Sequence, residues 1–275
     1  MTSDPMDRWS AALAARAIPP EILGAAPESP WAYPTEPFRA RAARAIAEPP
    51  TPTTLRAKEA LPAGGTLLDV GCGSGATSLP LAPEAGRLIG VDSSAAMLET
   101  FRETAEATGA QVTTVEGIWP DAASSTPRCD VVVCGHVLYN VAALEPFARA
   151  LDGHAARRVV LEITERHPLA WMNDLWLRFH GVRFPDGPSA DLAQEALDSL
   201  GLGVHREDRD GSRGHGGFAG RDGAIALVRR RLCLEASRDE DLAEALGDRL
   251  QEADGRWSAG PVAQRVITLW WDPPG

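Results

Sequence analysis

One segment constrains this chain more than any other: LLDVGCGSG, residues 67–75, where a short apolar run gives way at once to three alternately spaced glycines. Leu67 to Val70 read as a strand end, and Gly71, Gly73 and Gly75 turn the chain sharply out of it. Glycine belongs in such a turn because it accepts positive φ and lets a ligand approach the backbone with no Cβ in the way. A second apolar run, RLIGVD, then ends in Asp92. A carboxylate at that position can accept hydrogen bonds from the two hydroxyls of a ribose. Strand, glycine turn, helix, strand and terminal acid in this order predict a nucleotide-binding βαβ unit.

The rest of the chain extends that unit. QVTTVEG, CDVVVCG and RRVVLEIT repeat the short apolar form, and helical patterns over residues 75–81, 94–108 and 144–151 separate the runs. Strands alternating with helices imply a mainly parallel sheet covered on both faces. Val131 to Val133 fit a central strand buried on both sides.

The flanks differ in character. Residues 1–60 are rich in alanine and proline and predict helices over 7–17, 36–47 and 53–61, the last capped by Thr51 or Thr53. They read as an N-terminal helical cap, with the ligand-binding α/β domain spanning 61–275. Beyond Thr164 come a helix over 190–200, a short strand over 203–207 and a helical insertion at about 221–258. The last strand, RVITLWW, is expected as an added antiparallel edge.

Composition narrows the function class. The formal charge of −11 speaks against a general nucleic-acid binder and against docking on an anionic membrane. No apolar run approaches the ~18 residues of a membrane span, and MTSDPMDRWS is acidic where a signal peptide is basic, so a cytoplasmic location is expected. Cys72, Cys129, Cys134 and Cys233 show no metal or redox spacing, and the histidines form no ligand pair. Reduced, buried cysteines and no metal site are expected.

LLDVGCGSG, together with GVDSSAAMLE (90–99) and CDVVVCGHVLYNV (129–141), resembles the class I S-adenosylmethionine-dependent methyltransferases. The resemblance covers about residues 55–164. It implies a Rossmann-like, doubly wound, mostly parallel seven-stranded sheet. It also implies S-adenosylmethionine as cofactor, with S-adenosylhomocysteine as product. Asp69 and the backbone of Gly71 should lie near the methionine amino group, with Cys72 beside them. Gly73 should pass close to the cofactor and Asp92 should hold the ribose. Ser93 and Met97 should border the adenine, and Cys134 completes the implied set. After the third strand the family usually carries an acid for the adenine; here Ile118 stands in its place, with Trp119 next to it offering a flat face to a purine.

Methyl transfer from a sulfonium is an in-line displacement in which orientation supplies much of the rate, and a base helps when the acceptor is a hydroxyl. Ligands of open α/β sheets bind at the carboxyl ends of strands. His136 and Tyr139 after the fourth strand are therefore the catalytic candidates, with Glu165 and His167 after the fifth behind them. Trp171, Leu175, Trp176 and Phe179 recur at helical spacing, as a core stripe does. Tyr33 or Arg39 could reach the methionine carboxylate, and Arg229 to Arg231 read as a solvated helix face.

The expected activity is methyl transfer to oxygen, nitrogen or carbon of a small-molecule acceptor, with the oligomeric state left open. Three alternatives stand beside it. Gly71, Gly73 and Ala76 also satisfy a dinucleotide pattern, so a nicotinamide oxidoreductase is one; Asp69, an acid beside the expected pyrophosphate, opposes it. A nucleic-acid methyltransferase would need a basic patch such as Arg206, Arg209 and Arg213. A protein that binds S-adenosylmethionine without chemistry is the third.

Overall fold

The structure is a computed structural model that describes residues 4–32, 34–106, 108–211, 217–261 and 264–274. Four helices come first: α1 (Pro5–Ala14), α2 (Pro20–Ala25), α3 (Thr35–Ala47) and α4 (Pro52–Ala60). Proline opens α1, α2 and α4, where its missing N–H costs nothing. Thr51 is the cap of α4, its hydroxyl accepting from Thr54 N.

The alternating section follows with β1 (Gly65–Val70), β2 (Ala85–Asp92), α5 (Ala95–Glu106), β3 (Val112–Glu116), β4 (Cys129–Gly135), α6 (Leu144–His154) and β5 (Ala155–Thr164). Then come α7 (Asn173–His180), α8 (Ala190–Ser199), β6 (His205–Asp210), α9 (Arg221–Arg231), α10 (Asp239–Leu246), β7 (Leu250–Ala253), β8 (Arg256–Ala259) and β9 (Arg265–Trp271).

Seven strands form one sheet in the order β3-β2-β1-β4-β5-β9-β6. The five strands β1 to β5 pair in parallel, and β9 runs antiparallel to both of its neighbours. This is the expected Rossmann-like, mostly parallel sheet. Its last strand departs from expectation in one respect: it is antiparallel but lies inside the sheet. Val266, Ile267, Leu269 and Trp271 are all buried, which an edge would not achieve. The outer place goes to β6, whose HREDRD sequence suits an edge because charges discourage further pairing.

Each face of the sheet carries its own core. One is built on Leu68, Val70, Val132, Leu161 and Ile267, covered by α6, α8 and the Trp9 side chain of α1. The other is built on Leu67, Leu88, Val131, Val133 and Val160, covered through Ala42 of α3, Ala57 of α4 and Phe101 of α5. The first sixty residues thus divide between the two faces. A third core joins Met172, Leu175 and Trp176 to Ile225, Val228, Leu232 and Leu242, with Ile18 and Ile22 packed against it.

Two local readings change. The helix expected over 75–81 is only a 3₁₀ turn at Leu79–Leu81. Pro80 and Pro83 lack the N–H groups a longer helix would need. The insertion expected to be helical over about 221–258 is instead α9, a break and α10, followed by the hairpin β7–β8. Asp254 and Gly255 form its two-residue turn, both at positive φ, and an Asp-Gly pair between strand-like residues is a recognisable hairpin signal. All four cysteines are buried and free.

Candidate functional site

The carboxyl end of β1 leads directly into the glycine turn. Gly71, Gly73 and Gly75 have φ of 70°, 51° and 89°, a region that side chains strain to enter. Gly71 N and Cys72 N both donate to the Val91 carbonyl, which ties the turn to β2. Asp92 completes the attachment: its Oδ2 accepts from Gly73 N and its Oδ1 from Ser94 N, each at 2.9 Å. Each carboxylate oxygen keeps a second lone pair for a ligand hydroxyl.

Asp69 lies beneath this turn, 1% exposed. Its Oδ2 accepts from Ser78 Oγ at 2.6 Å, while Oδ1 is buried with no partner among the described residues. Burial, with a further push from the Asp92 charge, raises the Asp69 carboxyl to about 7. A buried oxygen lacking a donor is costly. An ammonium group laid against the turn would supply that donor, so the residues present fit the amino end of S-adenosylmethionine.

The other expected cofactor residues fall into two groups. Ser93 and Ile118 are exposed at the carboxyl ends of β2 and β3, Ile118 at 68%, a large apolar side chain left open. Met97 is buried under the turn with its sulfur 4.0 Å from Ser74 Oγ. Trp119, in contrast, does not offer its face to a ligand. Its ring is buried in the core beside α6, Nε1 donates to the Phe147 carbonyl at 3.4 Å, and His154 packs edge-on against it. The adenine role expected of Trp119 is corrected on that ground. Cys134 is fully buried on the face of the sheet opposite Asp69, so only its backbone borders the ligand edge. Burial likewise pushes the Cys72 thiol well up.

Beyond β4 the chain returns to the glycine turn. Val137 packs so closely that a Cβ on Gly71 would stand 2.3 Å from it, and a Cβ on Gly135 would meet Thr77 Oγ1 at 2.2 Å. His136 lies between these contacts with φ of 61°, rare for a residue with a side chain and frequent at functional sites. Its Nε2 is 2.9 Å from Glu162 Oε1, and its main-chain N donates to the Glu162 carbonyl at 2.7 Å. Glu162 also accepts from Thr53 Oγ1 at 2.8 Å and from Arg209 at 3.2 Å, and Arg41 lies 3.5 Å away. Burial alone would raise the Glu162 carboxyl, but His136, Arg41 and Arg209 outweigh it and hold the group well below the usual carboxylate range. Burial, reinforced by Arg41, lowers the His136 imidazole despite Glu162. Glu162 is therefore ionised and accepts the Nε2 proton, which leaves Nδ1 of a neutral ring as the basic atom.

Tyr139 does not join this cluster. It is buried against Trp9, and its hydroxyl donates to the Thr164 carbonyl, with burial raising it to about 12. His167 packs on Tyr139 and accepts from Leu169 N, and burial together with Arg16 lowers it to about 3. Glu165 is 4.0 Å from Arg265 at the surface. Arg39 pairs with Glu103, while Tyr33 and Arg213 lie outside the described residues. Arg206 is held by Asp191 and Asp208. Arg229 to Arg231 form no solvated face: they bind Glu28, Asp239 and the Pro30 and Ala32 carbonyls. Leu175 and Trp176 of the aromatic stripe are buried, as a core stripe requires.

The hub of the cluster, Glu162, was not singled out in the sequence. Its signal is a lone acid inside the apolar run RRVVLEIT. Arg41 and Arg209 carry no such mark.

Residues 67–155 match the family model described as a methyltransferase domain. An uncharacterized protein from Haemophilus influenzae is 31% identical over 103 residues, a stretch that covers 37% of this chain and 38% of that protein's length. Among solved structures, the YcgJ protein from Bacillus subtilis is similar with a TM-score of 0.52 at 16% identity, covering 85% of this chain and 99% of that one. YjhP from E. coli gives 0.52 at 17%, covering 86% and 99%. A structure concerned with the conversion of a disulfide bond into a thioacetal group during echinomycin biosynthesis gives 0.50 at 18%, covering 84% and 85%.

Proposed function

We propose that this chain, whose residues 67–155 match a methyltransferase domain, is a class I S-adenosylmethionine-dependent enzyme that methylates a hydroxyl of a small-molecule acceptor. The cofactor supplies an electrophilic methyl group on its sulfonium. Asp69 and the Gly71–Gly73 backbone receive its amino end, Asp92 its ribose, and Met97 with Ile118 border its adenine. His136 accepts the proton of the acceptor hydroxyl at Nδ1, and Glu162 positions the ring by holding Nε2.

One observation carries this reading. The unpartnered Asp69 Oδ1 and the Glu162-held His136 lie on adjoining strand ends, joined by the Val137–Gly71 contact. A neutral, oriented imidazole is worth having when the acceptor must lose a proton, as a hydroxyl must.

A nicotinamide cofactor is less well served. Its pyrophosphate binds at a helix N-terminus, and the glycine turn here runs into a three-residue 3₁₀ turn. The test is calorimetric titration with S-adenosylhomocysteine and, separately, NADH. Micromolar binding of the first alone is expected; binding of NADH instead would sink the proposal. Binding without turnover over a broad set of hydroxylated acceptors would leave a non-catalytic cofactor-binding protein.

A further inference from the structure

Resting on the methyl-transfer reading above, we infer that the acceptor carries a carboxylate, which Arg41 and Arg209 hold beside His136.

Glu162 is one negative charge shared between two guanidinium groups. Its oxygens already accept from His136, Thr53 and Arg209. A carboxylate offers about four acceptor sites, and each guanidinium brings five N–H donors. Donors therefore outnumber acceptors. Arg209 Nε is buried with no hydrogen-bond partner among the described residues. Arg41 approaches Glu162 only to 3.5 Å and makes no closer polar contact among the described residues. Burial, reinforced by Arg209 and opposed by Glu162, lowers Arg41 from the ordinary arginine range, while 30% of its side chain stays open to solvent.

The charge balance names the missing group. With His136 neutral, two arginines face one carboxylate, a surplus of one positive charge. A monoanion answers it, and a planar carboxylate matches the guanidinium fork.

Position points to the acceptor. Arg41 reaches Glu162 of β5, and Arg209 comes from β6 at the far side of the sheet. Both reach Glu162, the residue that holds His136; Arg209 stands on β6, with β4, β5 and β9 between it and the β1–β2 edge that carries Asp69 and Asp92, while Arg41 sits on α3, whose Phe38 lies over Gly73. The methionine part of S-adenosylmethionine is a second source of the same carboxylate chemistry, and the test separates the two.

Wild type, Arg41→Gln and Arg209→Gln are titrated with S-adenosylhomocysteine, with Arg41→Lys and Arg209→Lys as variants that keep the charge and the fold. Its affinity should stay within about twofold throughout. A loss of about tenfold or more in the glutamine variants would place the pair on the cofactor and overturn the inference. In the second arm, para-hydroxybenzoate and para-hydroxybenzamide are titrated by ligand-detected NMR, with and without S-adenosylhomocysteine. The acid should bind about tenfold tighter than the amide, lose that preference in both glutamine variants and keep part of it in the lysine variants. Equal binding of acid and amide, or binding of neither, refutes the inference. Failure of wild type to bind S-adenosylhomocysteine while the acid preference holds would instead strike the methyl-transfer reading alone.

Discussion

Glu162 grips His136 twice: its carboxylate accepts from the ring Nε2 at 2.9 Å, and its carbonyl accepts from the His136 main-chain N at 2.7 Å. The second contact belongs to the turn that places His136 at a φ of 61°. A histidine held at both ends keeps one tautomer and one direction, with Nδ1 as the free basic atom.

That arrangement predicts the behaviour of His136→Asn. Asparagine tolerates the same backbone conformation, so the fold should survive. Loss of the base should lower kcat by about 10²-fold or more while S-adenosylhomocysteine affinity holds. Initial rates and calorimetry on one preparation check this; an unchanged kcat would remove His136 from the chemistry. In wild type, because burial lowers the imidazole, the acid limb of the rate profile should lie below the ordinary histidine range.

Asp69 predicts a proton linkage. Its carboxyl rises to about 7 in the folded protein, so below that pH it is largely protonated and must release its proton to meet an ammonium. S-adenosylhomocysteine affinity should increase with pH and level off above about 7, with proton release seen as a dependence of heat on the buffer. The sign for folding is opposite. The folded state holds a proton that the unfolded state has lost between the ordinary aspartate range and about 7, so Asp69 costs stability as pH rises through that window. Asp69→Asn should therefore melt higher than wild type at pH 8 yet bind S-adenosylhomocysteine more weakly, with no pH dependence in this range. A flat wild-type affinity profile would refute the linkage.

Asp92 both braces the turn and stands where the ribose is expected. Asp92→Ala should weaken S-adenosylhomocysteine by on the order of 1–3 kcal/mol, the scale for losing charged hydrogen bonds. Gly73→Val should abolish binding, because it places a branched side chain at a φ of 51° against Phe38. Normal binding by either variant, measured by calorimetry, would move the ligand elsewhere.

Trp9 is fully buried although it sits in the first helix, and its Nε1 donates to the Val141 carbonyl at 2.8 Å. Trp9→Ala should cost about 3–5 kcal/mol by cavity formation, read by urea unfolding. A cost below about 1 kcal/mol would mean that α1 is not anchored through this side chain.

Much of this molecule is local and was legible as such. The glycine turn, Asp69, Asp92 and the parallel strands follow from short-range pattern, because a turn at positive φ needs glycine and a doubly buried strand needs an unbroken apolar run. His136 was legible too, standing just past a strand end. What long-range packing decided could not be read this way. Trp119 turned inward because the β4–α6 side offered a core to fill. The RVITLWW strand entered the sheet because polar HREDRD could take the edge. Arg41, Glu162 and Arg209 come from a cap helix, a core strand and an edge strand, and nothing in their separate neighbourhoods marks them as partners. A carboxylate buried at the end of β5 can be ionised only where positive charge gathers around it, and that gathering exists in the tertiary structure alone.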